Sequence, residues 1–170
     1  MKCVVIAAGY ATRLGELTKN FPKPLLKIGE NTILGRMLDD IDRIPEIDEH
    51  IVISNHRFAQ IFERWKKEEG RWKKPITIVD DGTETNDTRL GAVCDLLYAM
   101  DKLHIDDDLL VVAADNLLFF SFQEFVDFAN TKQTSCIMCH EQPSIEKLQR
   151  TGVLELDANN KVLGDRKSVV

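Results

Sequence analysis

The sequence has no run near the roughly 18 apolar residues that a membrane-spanning helix needs, and Met1-Lys2 leads directly into a strand-like segment rather than a signal peptide. A membrane partner is therefore not expected, and the expected setting is the cytoplasm. Cysteine is sparse, with 4 in 170 residues, and the 4 histidines are scattered without ligand spacing. Cys136 and Cys139 form a lone CxxC, but no second pair or histidine cluster completes a zinc set. The surrounding Thr134 to His140 reads as a strand, where positions three apart face opposite sides, so these thiols are expected to be buried and structural. Positive charge is also short. With 22 basic against 28 acidic residues the net charge is −6, which argues against nucleic acid as a partner. Internal repeats and low-complexity tracts are absent, as are the Walker and GxGxxG spacings.

What remains is the composition of a soluble globular domain, 44% hydrophobic and 29% charged. Lys2 to Ala7 is a short, β-branched apolar run ending near glycine, the pattern of a buried parallel strand. Ile33, Leu34, Met37, Leu38 and Ile41 recur at helical spacing after the cap candidates Asn31-Thr32. Glu49 to Ser54, Pro75 to Val79 and Leu109 to Ala114 read as further strands. Helical patterns carrying Phe58, Phe62 and Trp65, then Val93, Leu96 and Met100, alternate with them. Ser121 to Glu124 forms a capping box before a fourth helix, and Asp157 to Asn160 marks a hairpin turn between Gly152–Leu156 and Lys161–Leu163. Alternating β and α units predict an α/β fold. Its sheet is Rossmann-like, mostly parallel and mixed, with helices on both faces in three α/β/α layers.

In such sheets ligands sit beyond the carboxyl ends of the strands, where strand order reverses. Two apolar strands end in unusual polar segments, at Ala8-Gly9 and at Asp115-Asn116. The first continues as Ala7-Ala-Gly-Tyr-Ala-Thr-Arg-Leu-Gly15, followed by Phe21-Pro-Lys-Pro-Leu-Leu26. Small residues after a buried strand let backbone N–H groups approach phosphate oxygens. Arg13 adds a planar multi-donor contact, and Lys23 stands between two prolines that restrict where its ammonium can go. A plain β–α turn would account for the small residues alone; the pairing with Pro-Lys-Pro favours a phosphate-binding loop. The acidic clusters Asp80-Asp81 and Asp106 to Asp108 read as solvated loop charges.

The stretch AAGYATRLGELTKNFPKPLLKIGENTIL closely resembles the opening of sugar-phosphate nucleotidyltransferases of the glucose-1-phosphate thymidylyltransferase type. That family carries A-A-G-x-[GA]-T-R-L and then F-P-K-P. Weaker likeness continues through Asn86 to Ala92, through Ala113-Ala-Asp-Asn116, and through Thr151 to Leu156. The resemblance implies a nucleotidyltransferase that joins an NTP to a sugar 1-phosphate and releases pyrophosphate. Ala8, Gly9, Tyr10, Ala11 and Thr12 would surround the nucleotide, and Arg13 and Lys23 would hold its phosphates. Arg89 and Gly91 fall in the stretch that contacts the base, Gly152 at the position that approaches the sugar, and Asp115 at the carboxylate that binds Mg²⁺. Arg13, Lys23 and Asp115 are the implied catalytic set. Partners are an NTP and a sugar 1-phosphate, with a homo-oligomer allowed.

Against the family pattern, residues 1–170 read as a single nucleotidyltransferase domain that is incomplete at its C-terminus. No Glu-Lys-Pro segment or second metal-binding aspartate follows Leu163. Two alternatives stay open: a non-catalytic nucleotide-binding or regulatory module, and a cytidylyltransferase acting on another phosphorylated alcohol such as phosphocholine.

Overall fold

The computed structural model describes all residues except 12–14, 16–17, 19, 149–150 and 168–170, together with the side chains of 166 and 167. Two compact units are present, Met1–Gln133 and Thr134–Val170. Among the described residues no helix is long and apolar enough to cross a membrane.

In the first unit the strands β1 (Lys2–Ile6), β4 (Glu49–Ser54), β5 (Ile76–Asp80) and β6 (Leu109–Ala113) form one sheet in the order β5-β4-β1-β6. A small antiparallel hairpin, β2 (Lys27–Ile28) and β3 (Asn31–Thr32), lies between the first two. All three pairings of the main sheet are parallel. The helices are α1 (Ile33–Ile41), α2 (His56–Glu69), α3 (Ala92–Leu103) and α4 (Phe122–Lys132).

β1 shows why the sheet needs cover on both faces. Its residues, and the two alanines that follow it, alternate between two apolar clusters. Cys3, Val5 and Ala7 pack with Leu34 and Leu38 of α1, Phe58 and Phe62 of α2, and Phe122 and Val126 of α4. Val4 and Ala8 pack with Ile51, Ile53, Val79, and Ala99 and Leu96 of α3. With a side-chain period of two, a strand covered on both faces must be apolar throughout. The three-layer expectation is thereby met.

Local caps fix the helix ends, and at α1 the cap is one of the two candidates, Asn31-Thr32, that the sequence offers. The Thr32 side chain accepts from the Gly35 N–H at the start of α1, and Asn55 accepts from Phe58 at the start of α2. Gly70 ends α2 in the left-handed conformation. Helix α1 stops at Ile41, four residues before Pro45, although Ile44 is still buried.

The order β5-β4-β1-β6 contains one reversal. From β1 the chain steps outward to β4 and β5, then returns to the other side of β1 for β6. The carboxyl ends of β1 and β6 therefore flank the switch point, as the register Ile6↔Ala113 shows.

The second unit contains a short helix α5 (Ile145–Leu148) and an antiparallel hairpin, β7 (Gly152–Leu156) with β8 (Val162–Lys167). The Asp157 carboxylate accepts from the N–H groups of Asn159 and Lys161, both at 2.8 Å, and Asn160 takes φ +62°, which fixes the expected turn. One expectation fails here. Residues 134–140 form no strand; Cys136 is half-buried and Cys139 exposed. A strand exists only through ladder bonds to a neighbour, and β-branched composition supplies no partner. The reading of both cysteines as buried core thiols is corrected accordingly.

Candidate functional site at the switch point

The chain leaves β1 through Ala7 and Ala8, both buried, with the Ala7 N–H bonded to the Ile53 carbonyl at 2.9 Å. Asn55, fully buried, donates from Nδ2 to the Ala8 carbonyl at 2.9 Å while its Oδ1 caps α2. One side chain thus ties the loop after β1 to the neighbouring crossover. At Gly9 the direction a Cβ would take is open for 4 Å, so the backbone there is accessible to a ligand. Tyr10 reaches across to Thr83, Oη to Oγ1 3.1 Å. Ala11 takes φ +46°, a conformation that is uncommon for a residue with a Cβ. The Thr18 hydroxyl donates to its carbonyl at 2.8 Å. Thr12 and Arg13 lie outside the described residues.

Pro22 and Pro24 bracket Lys23, which begins a 3-10 turn, Lys23–Leu25. The turn's bonds, Leu25 N to Pro22 O and Leu26 N to Lys23 O, are both 3.0 Å. From it Lys23 Nζ reaches Asp115 Oδ2 at 3.2 Å, and Asn116 Nδ2 holds the other Asp115 oxygen at 3.2 Å. Lys23 and Asp115 are 92 positions apart in sequence. The Asp115 side chain stays 56% exposed, so the pair is open to exchange of partners.

The stretch after β5 departs from its sequence reading. Asp80 accepts from His56 Nδ1 at 2.6 Å, which raises the histidine above its ordinary range. Asp81 is not a solvated loop charge: it is 7% exposed and lies against Asp95 of α3, which is 4% exposed. Burial, followed by the nearby Asp81 charge, pushes the Asp95 carboxyl up to about 6. Burial likewise raises Tyr10 against the opposing effect of its Thr83 bond. Asp106 to Asp108 are exposed, as expected. Arg89 is exposed and donates to the Asn86 carbonyl at 3.1 Å, inside its own loop. Gly91 starts α3 at φ +88°, a backbone position that a side chain would strain.

The described members of the predicted set in the first unit therefore divide. Ala8, Gly9, Tyr10, Ala11, Lys23 and Asp115 gather at the switch point, whereas Arg89 keeps to its own loop and Gly91 heads α3. Gly152 is in the second unit, paired in register with Lys167. Asn55 and Asp95 escaped sequence reading. Asn55 had a legible signal, an Asn immediately before a helical apolar run; Asp95 showed only as an acid inside one. A cleft of about 670 Å³ between α1 and the 116–122 segment is lined by Arg36, Met37, Asn116 and Phe119 among others, but by none of the predicted set. The candidate site is the open crevice at the strand ends instead.

Among the described residues no group of three or more His, Cys, Asp or Glu could hold a metal by itself. Asp115 offers a hard, accessible carboxylate at the carboxyl end of β6. That fits Mg²⁺, which is commonly held by one or two carboxylates together with substrate phosphates and waters.

Comparison with known proteins gives concordant results. Residues 2–164 match the family described as Nucleotidyl transferase. A mannose-1-phosphate guanyltransferase of Debaryomyces hansenii is 28% identical over 170 residues, covering 98% of this chain and 44% of that protein. A 2-C-methyl-D-erythritol 4-phosphate cytidylyltransferase of Thermobifida fusca is 35% identical over 109 residues, 64% of this chain and 40% of that one. The crystal structure of a putative glucose-1-phosphate thymidylyltransferase from Bacillus anthracis superposes with a TM-score of 0.74 at 18% identity. That superposition covers 99% of this chain and 65% of that one, and shows the shared fold. The chain thus spans less than half the length of these curated relatives.

Proposed function

We infer the activity from one premise: the chain belongs to the nucleotidyl transferase family. It transfers a nucleotidyl group from an NTP to a sugar 1-phosphate, giving an NDP-sugar and pyrophosphate, with residues 1–170 working as one nucleotidyltransferase domain. A phosphate oxygen of the acceptor attacks the α-phosphorus, and the bond from that phosphorus to the bridging oxygen of pyrophosphate breaks. The nucleophile is already anionic, so no strong general base is required. The demand is for in-line positioning and cationic relief.

The observation that carries this reading is the convergence of Lys23 and Asp115 beside the Ala8–Ala11 loop. Each neutralises the other, so each can exchange its partner: Lys23 for a phosphate oxygen, Asp115 for Mg²⁺. The loop backbone from Ala8 to Thr12 receives the triphosphate, and Arg13 joins Lys23 in stabilising charge on the departing pyrophosphate. Arg89 and Gly91 border the base and Gly152 the sugar. Mg²⁺, when bound, neutralises phosphate charge. A cytoplasmic setting, where NTPs are plentiful, belongs to the same proposal.

The cytidylyltransferase relative favours a second reading of the acceptor alone, a phosphorylated alcohol in place of a sugar 1-phosphate. One assay tests both. Pyrophosphate release is measured with each NTP, Mg²⁺, and a panel of sugar 1-phosphates and alcohol phosphates, on this chain and on one extended past Val170. Release that depends on a sugar 1-phosphate supports the first reading, and release that depends only on an alcohol phosphate supports the second. No release and no NTP binding by either folded chain would overturn both.

A further inference from the structure

Asp81 and Asp95 pose a problem that the proposed activity does not use. Asp81 follows β5, where its N–H bonds the Ser54 carbonyl at 2.9 Å. Its Oδ1 accepts from the Thr83 N–H at 2.6 Å. Its Oδ2 and the Oδ1 of Asp95 are both sealed from solvent, and neither has a hydrogen-bond donor among the described residues. Yet the two carboxyls are within hydrogen-bonding reach of each other. Ionised carboxylates only accept, so two of them can bond only when one carries a proton.

The neighbouring charges do not remove the difficulty. From the same loop come Asp80 and Glu84, both acidic. From the start of α2 come His56, engaged with Asp80 at 2.6 Å, and Arg57, engaged with Asn20 at 2.9 Å. Tyr10 faces the group from the loop after β1, neutral and bonded to Thr83. From α3, Lys102 donates to the Asp80 carbonyl and to the Tyr98 hydroxyl oxygen, each at 3.2 Å. Among the described residues no cation sits on the pair, and a proton is the simplest counter-charge.

The pair is also connected. Thr83, held by Asp81, touches Tyr10 at 3.1 Å through its hydroxyl and accepts from the His56 N–H at 2.9 Å through its carbonyl. A chain of contacts thus runs from α3 through Asp95, Asp81 and Thr83 to Tyr10, inside the loop read as the nucleotide site. We propose that Asp81 and Asp95 share one proton, and that the protonated pair is a positioning device holding Thr83 and Tyr10 in the nucleotide-receiving arrangement. This rests on the proposed function for its consequence, though not for the shared proton itself.

The sign follows from linkage. The folded Asp95 carboxyl, at about 6, lies above its ordinary value, so the folded state favours the protonated form. That stabilisation is fully present below the ordinary carboxylate range and is lost as pH rises through about 6. Above this point two buried negative charges repel, and nucleotide affinity falls with them. If only the protonated pair receives nucleotide, affinity drops roughly tenfold between about pH 6 and 7.5.

The test uses the full chain. Carboxyl ¹³C NMR follows the aspartates from pH 4 to 8.5, and calorimetry with the Mg²⁺ complex of each NTP in turn follows affinity over the same range. The expected result is one aspartate titrating near 6, absent in Asp95→Asn, whose amide donates to Asp81 without a proton. Asp95→Asn should bind nucleotide with the tenfold fall abolished, whereas Asp95→Ala should bind weakly at every pH. The nucleotide's own titration is common to all three proteins and cancels in the comparison. All aspartates titrating near 4 in wild type would overturn the shared proton, and this needs no variant to fold. Identical pH profiles for wild type and Asp95→Asn would overturn the positioning role. Failure of wild type to bind any of the NTPs at any pH would overturn the nucleotide reading and the positioning role with it, while the NMR titration still decides the proton.

Discussion

Replacing Lys23 by alanine separates the stabilising from the catalytic worth of one ammonium. Lys23 meets Asp115 at 3.2 Å, with the two side chains 29% and 56% exposed. At that separation the attraction in bulk water is about 1.3 kcal/mol, and exposed pairs measured by double-mutant cycles contribute about 0.2–1 kcal/mol. Asp115 loses its partner but keeps solvent, so no buried charge is stranded. The turn itself survives, because its bonds, Leu25 N to Pro22 O and Leu26 N to Lys23 O, are made by backbone atoms. Stability should therefore fall by about 1 kcal/mol at most, or roughly 2–4 °C in Tm for a chain of this size. Losing one preorganised charge contact in the transition state costs about 2–4 kcal/mol, which is about 30- to 1,000-fold in rate. Pyrophosphate release and thermal melting on one preparation give both numbers, with Lys23→Arg recovering part of the rate. Unchanged turnover would refute the phosphate role. A Tm loss well beyond 4 °C would show instead that Lys23 is structural.

Asp115→Asn should weaken the Mg²⁺-dependent part of NTP binding and leave the Mg²⁺-independent part unchanged; calorimetry with and without the metal checks it, and equal metal dependence in the two proteins would count against Asp115 as the ligand. Asn55→Ala removes both the α2 cap and the bond to Ala8, so it should lower stability by about 2 kcal/mol and NTP affinity as well, read from denaturant unfolding and calorimetry. In Gly35→Ala the new Cβ would overlap Asn31 Oδ1 and lie 2.8 Å from Thr32 Oγ1; the cap and the Asn31–Arg71 bond must yield, and urea unfolding should show a loss of about 1–2 kcal/mol despite alanine's better helix propensity. Cys136→Ser and Cys139→Ser should change the melting temperature little, since neither thiol is buried; stoichiometric zinc lost in the double variant would contradict this.

Much of this protein is written in short-range pattern. The apolar run at β1, the helical spacing through α1, the caps Thr32 and Asn55 and the Asp157 turn each depend on residues within a few positions of one another. The loop chemistry at Ala7 to Gly15 and the stiffened Lys23 are equally local, because small residues and prolines constrain their own backbone. The order β5-β4-β1-β6 is not local; it sets Asp115 beside the end of β1, and the packing of the Lys23 turn then closes a contact across 92 positions. The same order leaves Asp81 buried against Asp95, where the local string of acids and threonines looked like solvated loop. Residues 134–140 show the converse, a strand-like composition without a strand. Side-chain periodicity records which face of an element wants burial, whereas ladder partners and buried charges depend on which distant element arrives. Only the assembled tertiary structure decides that.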